Sequence, residues 1–98
     1  MNHYIADIDL ITPFSEEFVE LVPFQRDRIE ELMDEGVVVA YSLSLDRSKL
    51  WITFISESEE DVYNLIGTFP LVAYMEPTVY ELALHNSISN NFPIISLN

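Results

Sequence analysis

Two β-forming runs lie at the centre of the chain. Val37-Val38-Val39-Ala40-Tyr41 continues to Leu45, and Leu50-Trp51-Ile52-Thr53-Phe54-Ile55 follows after the polar residues Asp46-Arg47-Ser48-Lys49. Branched and aromatic side chains at this density suit a pleated sheet, so the pair predicts an antiparallel hairpin. An amphipathic helix pattern stands on each side of it. Before it, Phe18, Leu21, Val22, Gln25, Ile29, Leu32 and Met33 recur at three- and four-residue steps, the spacing of one buried helix face. Ser15 is placed to cap that helix, and Gly36 to end it in the left-handed conformation. Pro23 lies inside the pattern, where it is expected to kink or split the helix. After the hairpin, Ser56 to Asp61 forms an acidic capping region, and Val62, Leu65, Ile66 and Phe69 make a second stripe that Gly67 and Pro70 close.

The outer segments alternate with a period of two. Tyr4, Ala6, Ile8 and Leu10 form one set and His3, Asp7 and Asp9 fall on the other, until Thr12-Pro13 ends the strand. Val79 to His85 alternates likewise, with Tyr80, Leu82 and Leu84 on the apolar parity. The element order is β–α–β–β–α–β. This predicts an α+β, ferredoxin-like subunit with an antiparallel four-stranded sheet and both helices on one face. The first and last strands are antiparallel neighbours in this arrangement, which brings His3 toward His85.

Parity then places His3, Asp7, Asp9, Glu81 and His85 together on the face away from the helices. Ser42, Ser44, Trp51 and Thr53 join them, while Tyr41, Leu43 and Leu45 turn inward. Carboxylates and imidazoles on a rigid, aromatic-walled sheet suit proton transfer, since burial raises the one pKa and lowers the other toward neutrality. Asp7 or Glu81 is the candidate base, and His3 or His85 the candidate proton donor. The competing expectation is a solvated face with no chemistry. Two aspartates at i and i+2 with two histidines lack the close spacing of a metal-ligand set, so no metal is expected.

Composition narrows the alternatives. At 98 residues the chain is one domain, and 49% of it is apolar, more than a small monomer easily hides. A homodimer or larger homo-oligomer is therefore expected. A net charge of −13 with four Lys and Arg argues against nucleic acid, which needs clustered cations. The absence of cysteine excludes thiolate chemistry and disulfides. With glycine only at positions 36 and 67, no Gly-rich phosphate loop exists, and no cofactor is expected. No serine-hydrolase motif appears. No apolar run approaches a membrane span, and no signal-peptide pattern opens the chain, so a cytoplasmic protein without membrane association is expected.

The segment Leu65-Ile66, Phe69-Pro70-Leu71, Tyr74-Met75-Glu76, Val79, Leu82 and His85 with Ser87 resembles the muconolactone isomerase family of dimeric α/β barrels, and the Glu35-Gly36 helix exit is similar too. Residue likeness concentrates in 65–87, although the element order matches over most of the chain. The resemblance implies that the open sheet face packs on a second sheet, enclosing a pocket near the interface. Asp9, Ser42, Trp51, Thr53, Tyr74 and Met75 are the candidate ligand-pocket residues. It further implies a barrel subunit over 1–86 and a tail over 87–98, including Phe92 to Leu97, that contacts a neighbour. The family reaction is a cofactor-free proton shift in a small unsaturated lactone. Asp7 and Asp9 depart from the family's basic, His-containing first strand, and Asn86 replaces its proline. The acid–base candidates therefore rest on the shared face, not on the resemblance. A non-catalytic small-molecule-binding or structural oligomeric module of the same fold stands as the alternative.

Overall fold

The computed structural model describes residues 1–11 and 13–88; all but the first two residues of the expected tail lie outside that range. Four strands and two helices follow the expected order: β1 (Asn2–Leu10), α1 (Glu16–Asp34), β2 (Val38–Leu43), β3 (Lys49–Ser56), α2 (Glu59–Ile66) and β4 (Met75–Glu81). A single 3₁₀ turn, Val72–Tyr74, precedes β4. The sheet order is β2-β3-β1-β4 and all three pairings are antiparallel. This is the ferredoxin-like fold.

Each helix begins at a serine. Ser15 Oγ accepts the Phe18 N–H at 3.0 Å and Ser58 Oγ accepts the Asp61 N–H at 3.1 Å, which satisfies donors that the first turn leaves open. Pro23 neither splits α1 nor ends it, and the helix runs 19 residues through it. Pro23 removes the donor that would meet the Val19 carbonyl, and both residues lie on the exposed side, where water can serve that oxygen. At the other end Gly36 has φ +77°. Its N–H donates to Met33 O at 3.0 Å, and the Val37 N–H donates to Leu32 O at 2.9 Å. That pair of bonds is a Schellman closure.

One layer of side chains joins sheet and helices. Tyr4, Ala6 and Ile8 of β1 and Ile52 and Phe54 of β3 are buried against Phe18, Ile29 and Leu32 of α1 and Val62 and Ile66 of α2. The odd-numbered residues of β1 therefore face away from the helices, as the alternation predicts. Tyr41 and Leu43 pair with Ile52 and Leu50 on the helix side, and Ser42 pairs with Trp51 on the open side. Leu45 does not turn inward: β2 stops at Leu43, and Leu45 stands in the turn at 95% exposure.

The last strand departs from expectation in both position and phase. It spans Met75–Glu81, and the buried positions are Met75 and Val79. Tyr80 is 54% exposed on the open face and Leu84 is 82% exposed beyond the strand. Pairing with β1 decides this, setting Val79 beside Ala6 and Tyr80 beside Ile5. Pro77 is tolerated because β4 is an edge strand. The Val79 N–H points outward and donates to Tyr63 Oη at 3.1 Å; the imide nitrogen of Pro77, two residues earlier, lies on that same outer side.

Gly36→Ala tests the closure of α1. A Cβ at Gly36 meets nothing within 4 Å, so only the left-handed backbone opposes it. The expected loss is about 1–2 kcal/mol in urea denaturation.

Candidate functional site

The open face carries most of the residues that parity selects. Asp7 stands opposite Trp51 and Thr78, and Asp9 opposite Lys49 and Glu76. Lys49 Nζ bridges the two aspartates, 2.8 Å from Asp7 Oδ1 and 2.9 Å from Asp9 Oδ1. Asp7 first, then Asp9, holds the ammonium's pKa well above the usual lysine value. A raised pKa means that this pairing stabilises the fold at neutral and mildly alkaline pH, and fades only as pH climbs toward the folded value. Thr53 lies between Ile5 and Ala40 on the same face.

His3 and His85 come together as expected, with ring centroids 4.7 Å apart and planes 20° from parallel. The Leu82 N–H donates to His3 O at 2.9 Å, which carries the chain past β4 to that meeting. His3 and Asp7 are four residues apart on one strand, roughly 13 Å at the strand rise. The imidazoles and the aspartates are therefore two separate spots on one face. Glu81 is not on this face. Its partner across the sheet is Tyr4, on the helix side, and its Oε2 accepts from Asn2 Nδ2 at 2.7 Å. The shifted phase of β4 removes Glu81 from the company of Asp7. Ser44 also leaves the set, because it belongs to the hairpin turn.

The expected pocket residues divide between the two sides. Asp9, Ser42, Trp51 and Thr53 lie on the open face. Tyr74 lies at the start of α1, donating to Glu17 Oε1 at 2.6 Å and standing 3.2 Å from Ser15 Oγ. Met75 is buried and lines a cavity on the helix side.

That cavity, about 350 Å³, opens between α1 and the sheet end that carries the hairpin turn. Its wall is mostly apolar, with Phe14, Phe18, Val22, Ile29 and Leu50 among the residues facing it. Phe14 stacks on Phe18 at 4.2 Å, and Tyr74 meets Phe18 edge-on at 5.2 Å. Four polar side chains join the wall: Gln25, Arg26, Tyr41 and Arg47. Gln25 is 7% exposed. Its Oε1 accepts the Leu71 N–H at 3.1 Å, and its buried Nε2 has no hydrogen-bond partner. The orientation of the amide is dictated, because Leu71 N–H is a donor and only the oxygen can receive it. In the sequence Gln25 falls within the helix stripe among apolar residues. An amide in an apolar stripe was the available signal. Arg26 and Arg47 gave none, being brought together only by the fold. Among the described residues, no three His, Asp or Glu side chains converge as a metal set, and no helix is long and apolar enough to cross a membrane.

The hairpin turn positions both sides. Asp46 Oδ1 accepts from Ser44 Oγ, Ser48 N–H and Ser48 Oγ at 2.7, 2.9 and 2.8 Å. Ser44 Oγ in turn accepts the Lys49 N–H at 3.0 Å. Arg47, at φ +63°, reaches the cavity, and Lys49 reaches the aspartates. The Ser48 N–H first, then the two hydroxyls, holds the Asp46 carboxyl down at about 2, from 3.8. A lowered pKa means that its contribution is present above 3.8 and lost as pH falls toward 2. Carboxyl NMR titration should find Asp46 titrating at about 2, and Asp46→Asn should flatten the stability profile between pH 4 and 2.

Comparisons with protein-family models and with curated proteins give no match. Among solved structures, muconolactone isomerase superposes with a TM-score of 0.71 at 18% identity, covering 88% of this chain and 93% of that one. This chain has the fold of muconolactone isomerase.

Proposed function

We propose that this protein binds a small organic molecule in the cavity beneath α1. The carrying observation is an apolar space of about 350 Å³, within the range of small-molecule sites, with a few convergent polar groups. It lies in a fold that one isomerase of a small lactone also uses.

A second, catalytic reading draws on the open face. There Asp7 and the stacked His3 and His85 are proton-transfer groups of a cofactor-independent isomerase acting on a small unsaturated lactone or related carbonyl compound. Asp7 is the base and, because the histidine pair of its own subunit stands roughly 13 Å away, a histidine of the second copy is the acid that returns the proton. Ile5, Trp51, Ile55 and Tyr80 leave apolar surface on this face, against which the sheet of a second copy packs in this reading. Such a homodimer encloses both spots. The two imidazoles meeting at 4.7 Å, where the chain runs on past β4, favour this reading. Glu81 has no part in it.

Turnover of muconolactone and a panel of unsaturated lactones, followed by ultraviolet absorbance, separates the two readings. A catalytic face predicts turnover in the parent and at least a hundredfold loss in Asp7→Asn or His85→Ala. Lactone binding without product supports the cavity reading alone. Light scattering tests the pairing: a dimer or larger species is expected at micromolar concentration, and a monodisperse 11.3 kDa particle refutes it.

A further inference from the structure

We infer that the cavity beneath α1 takes an apolar-bodied carboxylic acid of about two fused rings, with its carboxylate at the mouth between Arg26 and Arg47. The inference rests on the cavity being a binding site and names the chemistry of its occupant.

The first argument is where the cations go. The chain has four Lys and Arg against seventeen Asp and Glu. Lys49 is bound to Asp7 and Asp9. Arg28 is bound to Glu31 and, at 3.1–3.2 Å, to Thr68 Oγ1. Among the described residues, Arg26 and Arg47 form no ion pair, and both line this one cavity. No Asp or Glu lines it. Two unpaired guanidiniums beside an apolar space, in a chain so rich in carboxylates, mark a place that keeps anions of its own out and admits one from outside. Guanidinium also matches carboxylate in planar, two-point geometry.

The second argument concerns depth. Arg26 and Arg47 are exposed and Gln25 is buried, so the charged groups stand at the rim and the amide lies deeper. A buried donor without a partner is costly. Nε2 itself is closed off by its neighbours, so the amide sits just behind the wall that the ligand body touches. The third argument is size. A single lactone ring would leave most of about 350 Å³ empty, whereas a two-ring body fills it far better.

The overall charge of −13 does not overrule this assignment. At physiological salt, fields from exposed carboxylates decay within about 8 Å, while the two guanidiniums touch the ligand.

Calorimetric titration of the full chain with 2-naphthylacetate, 2-naphthylethanol and 2-naphthylethylamine tests the inference. The acid is expected to bind at least tenfold more tightly than the alcohol, and the amine most weakly. The acid's advantage should shrink with added salt. In Arg26→Gln/Arg47→Asn the acid should lose its advantage over the alcohol. The Gln25 side-chain amide signals should shift in NMR on adding the acid. Equal binding of acid and alcohol overturns the inference and leaves the cavity a binding site. Acid preference that survives the double variant overturns the role of the arginines. No binding by any of the three overturns both the inference and the cavity reading.

Discussion

The fold depends on one strand keeping its two sides apart. β1 lies inside the sheet, paired to β3 on one edge and β4 on the other. Tyr4, Ala6 and Ile8 enter the core while Asp7 and Asp9 stay out of it. A slip of one residue would drive both carboxylates beneath the helices, away from Lys49, at several kilocalories per charge. No gain elsewhere in a marginally stable 98-residue chain could absorb that. The period of two in β1 therefore fixes the register of β3 and β4, and with it which residues meet on the open face.

Much of this was legible in the sequence because several local signals agreed. The hairpin, the serine caps and the left-handed Gly36 each follow from chemistry within a few residues of the position concerned. Two strand neighbours could also be inferred, so His3 and His85 were expected together. The phase of β4 was not legible in the same way. Tyr80, Leu82 and Leu84 alternate as convincingly as Met75, Pro77 and Val79, and a period of two looks the same in either phase. Only the partner strand breaks the tie, by setting Val79 against Ala6. Glu81 follows the same tie, since parity alone speaks for its face and pairing with Tyr4 turns it to the helix side. The cavity was harder still. Arg26 comes from α1 and Arg47 from the hairpin turn, and nothing between them in the chain announces that they share a wall.

The hairpin turn is the point at which the two faces are linked. A single carboxylate, Asp46, gathers three donors from Ser44 and Ser48 and so sets where the next cations go. Arg47, in the left-handed conformation, lines the cavity. Lys49, already in β3, points to the opposite face and neutralises part of the aspartate pair. A turn built from water-accessible hydrogen bonds is a modest source of stability. Its contribution here is geometric, since it holds two of the chain's four cations on opposite sides of one sheet.

At 18% identity, what is shared with muconolactone isomerase is the arrangement of strands and helices, and that arrangement leaves two surfaces for chemistry. The open face offers ionisable groups on rigid strands but is not enclosed in a single subunit. The cavity is a recess within one subunit but holds no carboxylate or imidazole to move a proton. Binding and proton transfer thus draw on different sides of the sheet, and one subunit alone does not bring them together. If both operate on one ligand, the second copy has to supply what the first lacks. A catalytic role therefore requires assembly, whereas binding beneath α1 does not. The open face and the cavity stand or fall separately, which is why pairing of the sheets bears on turnover and leaves the cavity's preference for an anion untouched.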